Sequence, residues 1–136
     1  MDESKAREYY VKIKTLRDQV ETLSNQITDI DQKTLDIREM INAVEQATQL
    51  EEGDELLVGL TNGIFIKATA KQLEHLHLNV GADTVIKKTP AETKKILEEQ
   101  QIELNKYQEQ VKHQREELAR EANKIEERVS KELGNV

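Results

Sequence analysis

The chain has 136 residues, of which 36% are hydrophobic, 3% aromatic and 35% charged, with a formal net charge of −7. That is too little apolar mass for a compact globular core, so the apolar residues must be periodically spaced if the chain is to fold at all. With no cysteine in the sequence, disulfides, thiolate zinc sites and cysteine nucleophiles are excluded.

The first residues, MDESKAREYY, lack the apolar stretch of a signal peptide, and no run approaches a membrane span. A soluble, cytoplasmic protein is expected. Charge amounts to −3 over residues 1–50, −2 over 51–89 and −2 over 90–136, with no basic face. Phosphate recognition needs clustered Lys and Arg, so nucleic acid is disfavoured and proteins are the expected partners.

The first element is a long helix. Ala6, Tyr9, Ile13, Leu16, Val20, Leu23, Ile27, Ile30, Ile37, Ile41 and Val44 recur at alternating steps of three and four, with Thr34 and Thr48 filling the remaining seam positions. This is a heptad stripe sustained over about six heptads, uninterrupted by Gly or Pro before Gly53. A helix of some 45 residues is roughly 65–70 Å long and must lay that stripe against another helix.

Beyond Glu52-Gly53-Asp54 the period changes to two. Residues 55–60 (ELLVGL) predict a strand, Thr61-Asn62-Gly63 a turn and residues 64–69 (IFIKAT) the return strand. From Leu73 to Val80 the pattern alternates, with Leu76, Leu78 and Val80 on one face and His75, His77 and Asn79 on the other. Gly81-Ala82-Asp83 then turns the chain into Thr84-Val85-Ile86-Lys87-Lys88. Two such hairpins cannot stand alone, and their edges invite pairing with other chains, so the insert is expected to be an oligomerisation module.

The last element is a second long helix. Thr89, Pro90 and Glu92 form a capping-box signature with proline at the first helical position. Its seam is expected at Leu97, Leu104, Val111, Leu118 and Ile125, with Gln100, Tyr107, Gln114, Glu121 and Arg128 as the intervening positions. On that phasing the seam is half polar, and after Leu118 it drifts to Ala122, Ile125, Val129 and Leu133, loosening the supercoil. The short connections make the two helices antiparallel, with paired residue numbers adding to about 140. The expected fold is mainly α with a small β insert, an antiparallel two-helix coiled coil flanking two β-hairpins. Its divisions are an N-terminal helix (1–52), a double-hairpin oligomerisation segment (53–88) and a C-terminal helix (89–136).

Leu57 to Ala68, LVGLTNGIFIKA, resembles the first hairpin of prefoldin subunits, LVPLG-x-G-V-F-V-K-A, and NVGADTVIKK (79–88) is similar to the second, VGAGVVVEK. Two hairpins point to the alpha class, since beta-class subunits carry one. Gly59 stands where the family has proline, and Asp83 replaces a common glycine. The resemblance covers the whole chain. It implies an ATP-independent holdase that joins beta-class subunits in a hexamer, holds unfolded clients at its coiled-coil tips and delivers them to a group II chaperonin. No cofactor is implied.

The residues themselves suggest where those tasks fall. Tyr9, Tyr10, Val11, Ile13, Leu16, Leu118, Ile125, Val129 and Leu133 are the expected client-binding tips, with Tyr10 and Val11 outside the seam. Leu60, Ile64, Phe65, Ile66, Leu76, Leu78, Val80 and Ile86 are the expected oligomerisation residues. His75 and His77 lack a third metal ligand, pairs such as Glu98-Glu99 and Glu116-Glu117 lie on a solvated helix surface, and Gly59 and Gly63 fit no phosphate loop. No metal site and no enzyme activity are expected. The alternative function is structural: an alpha-class relative that self-assembles through the same strand edges into a filament or scaffold.

Overall fold

In the computed structural model, which describes residues 2–134, the first helix opens on a side chain rather than on an apolar residue. Asp2 Oδ1 accepts the Lys5 backbone N–H at 2.7 Å, capping α1 (Glu3–Ala47). The helix ends one residue before Thr48, which is exposed and outside the seam, contrary to its expected seam position. The break is secured at Gly53 (φ 95°): its N–H donates to the Ala70 carbonyl at 2.9 Å, while Asp54 Oδ2 accepts from Glu51 N–H at 2.8 Å.

Four strands follow: β1 (Glu55–Thr61), β2 (Ile64–Thr69), β3 (Leu76–Asn79) and β4 (Val85–Lys88). They form two separate antiparallel hairpins, β1–β2 and β3–β4. The turn falls at Asn62-Gly63 as expected, with only Gly63 (φ 75°) left-handed. A register shift between Gly59 and Thr61 accompanies it, which leaves Leu60 unpaired. The second turn is more strained. Gly81, Ala82 and Asp83 are consecutively left-handed at φ 104°, 50° and 58°, a region in which glycine has no steric cost and alanine does.

Helix α2 (Pro90–Gly134) begins as its sequence predicts. Glu92 N–H donates to Thr89 Oγ1 at 3.1 Å, and Thr89 N–H donates to Glu92 Oε1 at 3.5 Å, a reciprocal capping box. The Thr89 bonds, with Lys88 nearby, hold the Glu92 carboxyl below its ordinary value of 4.5. A depressed carboxyl stabilises the fold above the unfolded value and loses that contribution as pH falls through the folded one. Loss of the N-cap hydroxyl in Thr89→Ala should cost about 1 kcal/mol. Thermal melts of Glu92→Gln should show a smaller loss of Tm between pH 6 and acid than the parent, and equal slopes would discount the cap.

The chain groups into two units, one of Met1–Thr34 with Glu103–Val136 and one of Leu35–Ile102. In the first, the seam unit, α1 and α2 run antiparallel around Ile27, Ile30 and Val111, with Leu23 and Leu104 packed against them. In the second, the hairpin unit, Ile37, Val44, Ala70 and Leu97 are buried, and buried Thr93 donates its hydroxyl to the Thr89 carbonyl at 2.9 Å.

Burial along α2 corrects the expected phase of its seam. Gln100, Tyr107, Gln114, Glu121 and Arg128 are all exposed, whereas Gln101, Gln108 and Arg115 are half-buried, Ala122 is buried and Val129 half-buried. The step after each leucine or valine is four, not three. Leu118, Ala122, Ile125 and Val129 thus continue one heptad stripe, and the expected drift after Leu118 does not occur. The polar part of the seam is its middle, Gln101 to Arg115.

Candidate functional site

The alternation of a strand sends neighbouring side chains to opposite faces, and directly paired residues share one face. On the first hairpin, Val58 pairs with Ile66 and Leu56 with Ala68, which places Ile64 on their face as well. Gly59 pairs with Phe65 and Leu57 with Lys67 on the other face, where Glu55 Oε2 lies 3.5 Å from Lys67 Nζ. Each face carries exposed apolar side chains, with Leu56 and Ala68 half-buried on the first and the Glu55–Lys67 pair sharing the second. Leu57 is 68% exposed, Phe65 61% and Ile66 51%, and Val58, Leu60 and Ile64 are exposed too. Phe65 therefore looks away from Ile64 and Ile66, and the three expected oligomerisation residues divide between two faces. A Cβ at Gly59 would meet the Phe65 ring at 3.9 Å, an ordinary contact, so glycine there is not demanded by space.

The second hairpin differs. Leu78 pairs with Ile86 and Leu76 with Lys88, forming a face whose three apolar members are half-buried. Leu76 and Leu78 line a hollow of about 300 Å³ with Met40, Val44, Thr93 and Leu97 of the same chain. Val80 and Val85 remain exposed. Of the expected oligomerisation residues, Leu60, Ile64, Phe65, Ile66 and Val80 are thus free, and Leu76, Leu78 and Ile86 are partly occupied at home. Leu57, Val58 and Val85 are additional open apolar side chains, and strict alternation along each strand was the signal for them.

In the seam unit, Tyr9, Ile13, Leu16, Leu118, Ile125 and Val129 are half-buried along the seam, while Tyr10, Val11 and Leu133 are exposed. The two flanks of this seam are unlike. One is bridged by polar side chains at heptad intervals. Gln108 donates to the Asp31 carboxylate, Arg115 Nη1 donates to Ser24 Oγ at 3.3 Å, and Arg17 Nη2 reaches Asn123 Oδ1 at 2.8 Å and Glu126 Oε1 at 2.9 Å. The opposite flank is a groove of about 600 Å³, with Leu23 and Leu118 at its base and Thr15, Asp18, Gln19, Thr22, Gln114 and Glu117 along its sides. A smaller hollow continues it over Leu16 and Ile125, sharing Thr15 and Gln19.

The hairpin unit carries the same bridging position. Lys94 Nζ lies 3.0 Å from Glu45 Oε1, and that bond and charge hold the ammonium pKa above its usual value. Ser24 with Arg115, Asp31 with Gln108 and Glu45 with Lys94 each add to 139, matching the expected antiparallel register. Among the described residues no cluster of three or more His, Asp or Glu is placed to hold a metal ion, and no helix is long and apolar enough to cross a membrane.

Paired heptad helices and two small hairpins, the first with exposed apolar side chains on both faces, define a coiled-coil protein with a small β insert. The Prefoldin family model (prefoldin subunit) matches residues 16–134, and the chain belongs to that family of chaperone subunits. It is 28% identical over 116 residues to prefoldin subunit alpha of Methanococcus vannielii, covering 85% of this chain and 77% of that protein. It is 32% identical over 100 residues to prefoldin subunit alpha of Methanosphaera stadtmanae, covering 71% and 69%. Among solved structures, filamentous PFD from Methanocaldococcus jannaschii, determined by cryo-EM, superposes with a TM-score of 0.78 at 18% identity, over 90% of this chain and 98% of that one. That likeness shows the fold: two long helices with two small antiparallel hairpins.

Proposed function

We propose that the chain is the alpha-class subunit of an ATP-independent holdase, acting in the cytoplasm without a cofactor. Residues 53–88 join beta-class subunits in a hetero-hexamer, and the helical segments 1–52 and 89–136 carry the client-binding tips. Unfolded proteins are held there and passed to a group II chaperonin. The observation that supports this best is the first hairpin, where Leu57, Val58, Leu60, Ile64, Phe65 and Ile66 are all exposed on one strand pair. At the tips, exposed Tyr10, Val11 and Leu133 beside a half-buried seam supply scattered apolar contacts suited to weak, sequence-tolerant holding.

A self-assembling filament is the second reading, favoured by the likeness to a filamentous prefoldin. Mass measurement of the purified chain, alone and with a beta-class subunit, separates the two. A discrete hexamer formed only on mixing supports the holdase subunit, and long polymers of the lone chain support the filament. The assembled protein should suppress aggregation of a denatured client. Removing both tips, residues up to 16 and from 118 onward, should abolish that while assembly persists. Undiminished suppression would overturn the placement of the tips.

A further inference from the structure

We infer that, below the tips, clients are taken on one flank of the helix pair, in the groove over Leu23 and Leu118, and that this groove selects apolar segments bearing Lys or Arg. This rests on the holdase reading and sharpens it. The opposite flank is bridged by Gln108 to Asp31, Arg115 to Ser24 and Arg17 to Glu126, so a ligand there would have to break paired polar contacts. The groove flank offers leucine without such a cost. Leu23 and Leu118 are half-buried, and the remaining apolar area faces the groove.

The sides of the groove decide its partner. Asp18 and Glu117 stand on either helix, Gln19 and Gln114 beside them, and no lining residue among those described is basic. Glu117 Oε1 also lies 3.0 Å from His113 Nε2 on its own helix. The adjoining hollow over Leu16 and Ile125 carries one charge of each sign, Lys12 and Glu121, and adds apolar length without changing the preference. An apolar base between two carboxylates suits an aliphatic or aromatic side chain with a cation a residue or two away. An acidic segment would meet repulsion from both sides. Unfolded chains presenting Leu or Phe beside Lys or Arg would therefore be held in preference to acidic ones.

The test uses the full chain in its assembled form and two labelled probes, a short peptide alternating Leu and Lys and its counterpart with Glu in place of Lys. Fluorescence anisotropy should show the Lys peptide bound at least about tenfold more tightly, with the difference shrinking in high salt. Asp18→Lys with Glu117→Lys, both exposed positions, should reverse the preference at unchanged helicity. A photo-crosslinker at Gln114 should label the Lys peptide and one at Lys112, on the bridged flank, should not. An unaltered preference in the double variant, equal labelling from Lys112, or a change of oligomeric mass in the double variant would each overturn the inference; the last would make the groove a contact between copies. If aggregation suppression persists while the preference is unaltered, only the groove assignment falls. If the assembled parent suppresses no aggregation, the holdase reading itself falls.

Discussion

Ile66→Lys is expected to leave the isolated chain folded and to abolish its assembly with a beta-class subunit. Ile66 is half exposed on the Val58 face of the first hairpin, so a charge there costs the free chain within about 0.5 kcal/mol, as for most surface changes. Once a partner strand covers that face, the same ammonium is desolvated without a counter-charge, a penalty of several kcal/mol. A loss of even 2 kcal/mol weakens association about 30-fold. Circular dichroism of the lone chain and native mass measurement after mixing with the partner separate the two effects. Phe65→Lys tests the other face in the same way. If either variant assembles normally, that face is not covered. Leu78 would be a poorer probe, because it lines a hollow with Val44 and Leu97 and a charge there disturbs the chain itself.

Leu97→Ala is expected to be the most damaging simple truncation. Leu97 is 1% exposed, the only large side chain among the described residues to be so completely enclosed. Its removal should cost about 2–5 kcal/mol, the range for buried leucine. Whole domains are stable by only about 5–15 kcal/mol, so a thin two-helix seam loses much of its margin. Tyr107→Ala, at 49% exposure, should change the urea midpoint little. The pair also tests the phase of α2, since a seam stepping by three would place Tyr107 inside. Comparable losses from both variants would reject the burial pattern described here.

Most of the fold could be read from residue order. The stripe of α1 was unambiguous because apolar residues hold both heptad positions from Tyr9 to Val44 with Thr34 the single exception, and the boundary at Thr89-Pro90 was marked by side chains that form the cap. The second helix was harder. Leu97, Leu104, Val111, Leu118 and Ile125 mark one position in seven, but Gln101, Gln108 and Arg115 are no more apolar than Gln100 and Gln114, so composition could not choose the step. Only Ala122 and Val129 tilt the balance toward four, and they resemble a drift when the other step is assumed. The partners of the polar seam residues, Asp31 and Ser24, lie 77 and 91 positions away in sequence, and the bridged flank emerges only when both helices are in place. On the hairpins, three apolar residues in a row at 64–66 concealed the fact that a strand must divide them between two faces.

That division has a consequence for the cell that makes the chain. A strand pair whose apolar side chains lie mainly on one side can rest against its own helices, as β3 and β4 partly do, whereas one with exposed apolar side chains on both sides would stay uncovered unless, as proposed, other subunits cover it. An orphaned copy therefore displays the same kind of surface as the misfolded proteins from which a chaperone is meant to shield others. On the holdase reading, the cost of making the chain in excess of its partners would be exposed Phe65, Ile66 and their neighbours left in solvent.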